Sequence, residues 1–386
     1  DEALRDVVGQ DLRLCYPSGG SYRSPYIFTD LDGDEEAEAV VFYTVENEPL
    51  VYLQILDHTE GRWRAHNALP GTEGEVLFVD FRHLSGDGAT DLLVGWREPD
   101  RDFDTLYLYR YREGSLTEEF HVSCDGVAIG DFTGDGAEEL ICATLDGGVT
   151  LQLIGWGGTG ISVLDSAYSS LRLQTITGSV TGRIEEALPG AAFSGRINAE
   201  MSASLLVGVQ SGRLVLPQED TFTGYSETYC YSGASPADIN NDGIVEVPWS
   251  NAVPGISAGS REDTRYFTEY RALQNGSYTT IAACYQNTAD GWRLILPEGL
   301  YELYWQNGLT LTRQAETREV VFRQYTGHLN ENGREYLRLR VTAGNETAPE
   351  GYTLLNSRGQ FSYYASIPLG SPLSMAEVEQ NFSLLG

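Results

Sequence analysis

Asp131-Phe-Thr-Gly-Asp135-Gly-Ala-Glu-Glu139 is the nine-residue stretch from which the fold of this chain is predicted. It lies between two short apolar runs, Val127–Gly130 and Leu140–Thr144. Two extended runs joined by a tight turn rich in Asp and Gly are typical of a β-hairpin. The stretch therefore predicts a hairpin whose turn carries carboxylates at alternating positions.

The same unit recurs along the chain. Asp30-Leu-Asp-Gly-Asp-Glu-Glu-Ala-Glu38 and Asp238-Ile-Asn-Asn-Asp-Gly-Ile-Val-Glu246 repeat the spacing, and looser copies begin at Asp80 and Ser179. The five copies start at 30, 80, 131, 179 and 238, so the intervals are 50, 51, 48 and 59 residues. Repeats of roughly 40 to 50 residues, each holding about four short strands, are typical of propeller blades. The sequence predicts a mainly β fold, a β-propeller of about five blades, with six as the alternative.

The repeated pattern D-x-[DNT]-x-D-G-x-x-[DE] resembles the FG-GAP/VCBS repeat of integrin-α-type β-propellers. The resemblance covers about residues 20–290 and joins motif, strand context and period. It implies a closed ring of small sheets with the acidic turns on a common side. Likeness of fold does not carry the partners of integrins over to this chain.

Three domains are predicted from the change of pattern along the chain. Residues 1–19 are interpreted as an N-terminal tether or a ring-closing strand beside residues 265–285, with a short helix over residues 1–9 as the alternative. Residues 20–287 form the propeller, and residues 288–386 form a small α+β domain without Asp-Gly turns. In that domain, Ser374-Met-Ala-Glu377 predicts a capping box that opens a helix through about Phe382.

The segment Gly291-Trp-Arg-Leu-Ile-Leu-Pro297 after the repeats is similar to surface lipoproteins of Gram-positive gut bacteria. That resemblance implies an extracellular location, anchored to the cell surface. It bears on location more than on activity.

The acidic turns have the ligand chemistry of calcium sites. Ca²⁺ takes about six to eight oxygen ligands, and carboxylates at positions 1, 3, 5 and 9 of a tight loop supply them. The candidate metal ligands are Asp30, Asp32, Asp34 and Glu38 in the first loop; Asp131, Asp135 and Glu139 in the third; and Asp238, Asn240, Asp242 and Glu246 in the fifth. The alternative is a metal-free turn in which Asp side chains accept hydrogen bonds from backbone N–H groups.

Departures from the pattern divide the five loops. Position 6 holds Gly136 in the third loop and Gly243 in the fifth, but Glu35 in the first. The second loop has an open register around Asp80, Ser85, Asp87 and Asp91. In the fourth copy, Arg183 replaces a carboxylate, so that copy is predicted to bind no metal.

Composition excludes several classes of partner and chemistry. The net charge of −31 repels nucleic acid and anionic lipid head groups. All 25 basic residues are Arg, and the absence of Lys excludes lysine Schiff-base and P-loop chemistry. The five cysteines form no C-x-x-C pair, and no apolar run reaches the roughly 18 residues of a membrane span. We expect a monomer that binds no nucleic acid and does not span a membrane.

The predicted function is a non-enzymatic binding or adhesion module with calcium-stiffened loops. A protein or glycan ligand is expected at the face opposite the acidic turns, where Trp96, Arg97, Trp249 and Arg261 are the candidate contacts. Core packing is the alternative role of the two tryptophans. A carbohydrate-binding propeller and a glycoside hydrolase are the other hypotheses. No catalytic residue is assigned, because no single pair of acids stands out.

Overall fold

The fold is mainly β, as predicted. The computed structural model describes residues 2–9, 11–59, 61–72, 74–85, 89–97, 104–219, 224–231, 233–256, 266–328, 333–344 and 346–385. In these ranges the chain forms 28 β-strands, three α-helices and one 3-10 helix, Gly224–Thr228. The chain divides into two compact units. The first consists of Asp1–Arg183, Ala187–Phe193 and Leu206–Glu219, and the second of Ile184–Glu186, Ser194–Leu205 and Asp220–Gly386.

The first unit begins with an antiparallel sheet of six strands. They are β1 (Leu12–Cys15), β2 (Tyr26–Thr29), β3 (Glu38–Val45), β4 (Val51–Thr59), β5 (Arg62–Ala65) and β6 (Leu69–Pro70). The order is β1-β3-β4-β5, and β2 and β6 pair with β3 and β4 respectively. The acidic loop 30–38 joins β2 to β3, as the hairpin prediction requires.

Two four-stranded antiparallel sheets follow in the same unit. The second sheet contains β7 (Glu75–Arg82), β8 (Asp91–Arg97), β9 (Asp104–Arg112) and β10 (Ser115–Cys124). The third contains β11 (Gly126–Gly130), β12 (Glu139–Leu145), β13 (Val149–Trp156) and β14 (Ile161–Ser169). Each sheet is built from strands consecutive in the chain, in the orders β10-β9-β8-β7 and β11-β12-β13-β14.

Strand β3 is buried on both faces, which explains its continuous apolar run. Because side chains alternate across a strand, Val41 and Tyr43 face one side and Val40 and Phe42 the other. The first pair joins a cluster around Leu4, and the second joins a cluster shared with the second sheet. A further cluster links the second sheet to the third. Consecutive sheets of this unit therefore pack on one another through apolar faces.

A fourth sheet has the order β15-β16-β17-β18, and the division between the two units falls within its strands. Its strands are β15 (Thr175–Glu185), β16 (Leu188–Arg196), β17 (Ser202–Gln210) and β18 (Arg213–Val215). Strand β15 continues through Arg183. The fourth sequence copy is therefore a strand and not an acidic loop of the kind found in the first and third copies.

The second unit contains two five-stranded antiparallel sheets. The fifth sheet contains β19 (Val247–Ala252), β20 (Tyr266–Gln274), β21 (Ser277–Asn287), β22 (Trp292–Ile295) and β28 (Phe382–Leu384), paired in that order. The sixth contains β23 (Leu309–Gln314), β24 (Glu319–Gln324), β25 (Glu335–Ala343), β26 (Thr353–Arg358) and β27 (Phe361–Ser366), in the order β23-β24-β25-β27-β26. The two sheets share one apolar cluster that includes Trp292 and Phe322.

Two helices also belong to the second unit, α2 (Glu298–Trp305) and α3 (Met375–Asn381). The predicted capping box is confirmed: the Glu377 N–H donates to Ser374 Oγ at 3.3 Å, and the Ser374 N–H donates to Glu377 Oε2 at 2.7 Å. The predicted domain boundary at 287–288 falls between β21 and β22, which are paired strands. The α+β domain from residue 288 stays a prediction.

The N-terminal segment corrects two expectations. Residues Glu2–Val8 form helix α1, whose Leu4 is fully buried in an apolar cluster, so the tether interpretation is wrong here. Strand β1 pairs with β3 of the first sheet, with Leu12 opposite Val45, and not with strands near 265–285. Burial of Leu4 and Leu12 in one cluster holds the segment at the first sheet.

Candidate metal centre

The loop between β2 and β3 folds around the side chain of Asp30. The Asp30 carboxylate accepts hydrogen bonds from the N–H groups of Gly33 at 2.7 Å and Glu35 at 3.0 Å. Gly33 and Glu35 have left-handed φ angles of 86° and 71°. A non-glycine residue seldom adopts such an angle, so the hydrogen bond to Asp30 helps to hold Glu35 there.

The third and fifth loops have the same alternation of left-handed residues. In the third loop, Gly134 and Gly136 have φ angles of 79° and 92°. In the fifth loop, Asn241 and Gly243 have φ angles of 60° and 83°. Position 6 is therefore left-handed in all three loops, and Glu35 in the first loop does not break the turn.

Position 9 of the first loop is a buried acid, and one of its two carboxylate oxygens accepts a hydrogen bond. Glu38 is fully buried, and its Oε2 accepts a hydrogen bond from the Leu31 N–H at 2.6 Å. Its Oε1 has no hydrogen-bond partner among the residues that the structure describes. Burial raises the pKa of Glu38 to about 7, and the nearby charges of Asp32 and Asp34 raise it further. A buried, unpartnered carboxylate oxygen is costly unless a cation or proton meets it.

Glu246, at position 9 of the fifth loop, has the same environment. It is fully buried, Oε2 accepts from the Ile239 N–H at 2.9 Å, and Oε1 is without a partner in the described part of the chain. Burial raises its pKa to about 7, with Asp242 and Asp238 adding to the effect.

The loops differ in how closely their acids approach one another. Ligand atoms of Asp30, Asp32 and Glu38 lie within 4.8 Å of one another, and so do those of Asp131, Asp135 and Glu139. Within the described residues, the acids of the fifth loop form no such group. There the Asn240 amide donates to Asp242 Oδ2 at 2.8 Å. The first loop thus unites clustered carboxylates with an unpartnered buried oxygen, which fits the all-oxygen ligand set of Ca²⁺.

In the third loop, a protein hydroxyl meets the buried acid. Thr133 stands where the first loop has Asp32, and its Oγ1 donates to Glu139 Oε1 at 2.9 Å. Glu139 Oε2 accepts from the Phe132 N–H at 2.8 Å. Burial raises the pKa of Glu139, whereas these hydrogen bonds lower it.

The second loop has a different register from the one centred on Asp80. The Leu84 N–H donates to Asp91 Oδ2 at 2.8 Å across seven residues, as Leu31 does to Glu38. Position 1 is therefore His83, and Asp80 instead binds Arg82 at 2.6 Å. Asp87 lies outside the described residues.

The buried acid of the second loop has a cation from the protein itself. Asp91 is fully buried, and Arg110 Nε donates to its Oδ1 at 2.9 Å. Asp91 and Arg110 are direct cross-strand neighbours in β8 and β9. In the first sheet, Ala39 lies opposite Leu56, and one further step of that register sets Asp57 opposite Glu38. Extending the register by one residue in the same way places Gly155 opposite Glu139 in the third sheet and Ala272 opposite Glu246 in the fifth.

The candidate ligand-binding face has mixed outcomes. Trp96 is fully buried, with its ring 5.8 Å from that of Phe42, so it packs in the core and its proposed ligand contact is wrong. Arg97 is exposed and pairs with Glu75 at 3.0 Å. Trp249 is half-buried beneath the Arg271 guanidinium, 3.7 Å from the ring centroid. Arg261 lies outside the described residues.

Arg110 is the residue at these loops that the sequence pattern missed, because it lies on the neighbouring strand and outside the nine positions of the motif. Thr133 occupies position 3, which the pattern includes, but its hydrogen bond to Glu139 was not predicted. The pairing of Arg110 with Asp91 depends on the register of β8 against β9, which the sequence pattern does not set. In the described ranges, no helix is long and apolar enough to cross a membrane.

No protein-family model matches the chain, and no curated protein does. Among solved structures, a rhamnogalacturonan lyase from Bacillus licheniformis is 13% identical, with a TM-score of 0.33; the match covers 62% of this chain and 58% of the lyase. Sqt1 from Saccharomyces cerevisiae is 12% identical over 87% of this chain and 86% of its own, with a TM-score of 0.34. An exo-β-1,3-galactanase from Phanerochaete chrysosporium is 7% identical over 89% and 81%, with a TM-score of 0.32. At these scores, function is inferred from the residues of the molecule itself.

Proposed function

We propose that the loop Asp30–Glu38 binds Ca²⁺ and that Asp30, Asp32 and Glu38 are its ligands. The unpartnered Oε1 of the fully buried Glu38, within 4.8 Å of ligand atoms of the two aspartates, is the observation that supports this most directly. The bound ion supplies positive charge to a cluster of like charges. It stabilises the folded protein because the unfolded chain does not hold these carboxylates together.

We further propose that the chain is a calcium-stabilised β-propeller of the FG-GAP/VCBS type, acting outside the cell as a non-enzymatic binding module. Support comes from the first three antiparallel sheets, which follow one another along the chain and of which consecutive members share apolar clusters. The repeated acidic loop at the start of successive sheets is a second support. The third and fifth loops are proposed as additional, weaker metal sites.

Thermal unfolding in Ca²⁺ and in EDTA tests the metal proposal. Ca²⁺ at about 100 times its dissociation constant should stabilise the folded form by about 2.7 kcal/mol per site. The variant Glu38→Gln should lose the contribution of the first loop. Glu35→Gln removes one exposed negative charge from the same loop without touching a proposed ligand, so it should keep the calcium effect. An unfolding midpoint that is equal in Ca²⁺ and EDTA would refute the proposal.

Carbohydrate binding is a second candidate function, favoured by an aromatic pocket in the first unit. Phe28 and Trp63 are 57% and 40% exposed, and their ring centroids are 5.8 Å apart. They line a cavity of about 390 Å³. Exposed aromatic rings stack on the apolar faces of sugars, since they combine apolar area with rigid geometry.

A glycan array compares Trp63→Ala with Trp156→Ala, a matched variant whose tryptophan is 41% exposed on the third sheet. Loss of sugar binding in the first variant alone would support the candidate. Equal binding by both variants and the wild type would exclude this pocket as the sugar site.

A further inference from the structure

The second unit contains a cavity that the acidic loops do not explain. It is open and has a volume of about 830 Å³, within the range of about 300–1,000 Å³ usual for small-molecule sites. Tyr270, Gln286 and Arg293 line it from the fifth sheet, and Phe361 and Tyr363 line it from the sixth. Its wall therefore combines aromatic rings with hydrogen-bonding groups.

The charge of this cavity is opposite to that of the whole chain. The protein has a net charge of −31, yet three arginines line the cavity: Arg293, Arg318 and Arg358. Asp290 is the single carboxylate among the described lining residues, so three positive charges against one negative leave a formal excess of two. A concave site lined by one sign of charge concentrates ligands of the other sign.

The carboxylate of Asp290 already has hydrogen-bond donors within the protein, and one of them is Arg318, which it holds in place. It is 6% exposed, and its carboxylate accepts hydrogen bonds from Arg318 Nε at 2.7 Å and Asn287 Nδ2 at 3.0 Å. The Arg318 guanidinium also lies over the Phe361 ring, 4.7 Å from its centroid. The φ angle of Arg318 is 50°, a left-handed conformation seldom adopted by non-glycine residues. Arg318 is therefore held firmly at the cavity wall.

The other two arginines, Arg293 and Arg358, have N–H donors that are available to a ligand. Arg293 Nη1 donates to the Tyr270 hydroxyl at 3.3 Å, and Arg293 Nε meets no acceptor in the ranges that the structure describes. Arg358 is exposed, and its Nη1 donates to the Leu385 carbonyl. A guanidinium has five N–H donors in a planar fork that matches a carboxylate. Neither side chain has a carboxylate partner within the described part of the chain.

We propose that this cavity binds a small organic carboxylate, with Arg293 and Arg358 as its anion-binding residues. Arg318 positions the wall through Asp290, and the aromatic rings contact the uncharged part of the ligand. The site goes beyond the proposed calcium loops and does not depend on them, because none of its proposed contacts is a metal ligand.

Calorimetric titration of the full chain with D-glucuronate and D-glucose tests the proposal. The two sugars differ in the carboxylate, so glucuronate should bind and glucose should bind at least about tenfold more weakly, as expected for loss of a charge-assisted hydrogen bond. Titration with inorganic sulfate shows whether a bare oxyanion suffices. Sulfate binding as tight as that of glucuronate would overturn the assignment to an organic carboxylate.

Variants locate the binding. Arg358→Gln at the exposed rim and Arg293→Gln should each weaken glucuronate binding by about tenfold. Arg334→Gln, an exposed arginine of the same unit that does not line the cavity, should leave it unchanged. Absence of glucuronate binding up to about 10 mM, a concentration that detects millimolar affinity, would overturn the proposal. Equal effects of Arg358→Gln and Arg334→Gln would overturn it as well.

Discussion

The first and second acidic loops share a hydrogen bond from the backbone to a buried acid, but the charges around the two acids are opposite in sign. In both, a buried acid at position 9 accepts an N–H from seven residues earlier, Leu31 to Glu38 and Leu84 to Asp91. The strand beside Asp91 presents Arg110, whereas the register of the first sheet leads to Asp57 beside Glu38. One acid is neutralised by the chain, and the other sits among further acids.

The difference shows that the loop motif alone does not determine whether a loop requires a metal ion. The charges around the buried acid also decide it. A buried carboxylate requires a positive charge or a proton, because burial removes the water that would stabilise its charge. Arg110 meets that need inside the second sheet. In the first loop, Asp32, Asp34 and Asp30 add negative charge around Glu38, so an external cation is favoured.

Breaking the internal pair should have the largest effect. Arg110→Gln leaves the charge of Asp91 buried without its guanidinium, which should lower the free energy of unfolding by roughly 3–5 kcal/mol. Urea denaturation measures this. Arg97→Gln, at an exposed pair with Glu75, is the control and should cost at most about 1 kcal/mol. A loss for Arg110→Gln as small as that of the control would contradict the comparison.

Copying the second loop into the first should remove a calcium effect. Asp57→Arg sets a guanidinium opposite Glu38, so the EDTA-treated protein should become more stable. The calcium-induced gain should fall by the contribution of one site, about 2.7 kcal/mol at 100-fold excess over the dissociation constant. Asp57→Asn, which removes the acid without adding a cation, should keep most of the gain. An undiminished gain in Asp57→Arg would show that Glu38 does not meet the ion.

The metal-free protein should become less stable as the pH rises through neutrality. Glu38 and Glu246 have pKa values of about 7 in the folded state, raised from an ordinary value of 4.5. A raised carboxyl pKa means that folding favours the protonated form, so this stability is present below about pH 4.5 and is lost as the pH passes 7.

Thermal melts in EDTA at several pH values measure the effect. The double variant Glu38→Gln with Glu246→Gln should have a shallower decline than the wild type, by roughly 2 kcal/mol for each acid between pH 5 and pH 8. The difference between the two proteins isolates these acids from the general repulsion of a chain with a charge of −31. Parallel curves would mean that neither acid is perturbed.

The smallest effect is expected in the third loop. Thr133→Val removes the hydroxyl that donates to Glu139 Oε1 and should lower the free energy of unfolding by about 1 kcal/mol in EDTA. Thr133→Ser keeps the hydroxyl and should retain most of that stability. If Val and Ser cost the same, the hydrogen bond contributes nothing and the third loop gains nothing from its threonine.

Hairpins and caps were predictable because their causes are local in the chain. Two apolar runs and the Asp-Gly turn between them placed the hairpin at 127–144, and the structure has β11 and β12 paired there. The capping box at Ser374 needs only residues three positions apart. The fourth copy does not form an acidic loop, and the cause is again local. Its segment lacks the Asp residues that bend the chain, and it continues as β15.

Sequence by itself determined the mainly β class, the acidic loops and the negative charge of the molecule, because each follows from residue type and spacing within a few positions. Tertiary structure alone decided that Trp96 is core, that Arg110 neutralises Asp91 and that three arginines meet at one cavity. These outcomes depend on strand register and on burial, which bring together residues far apart in the chain. Burial also decides how strongly each charge is felt, because charges interact more strongly where water is excluded.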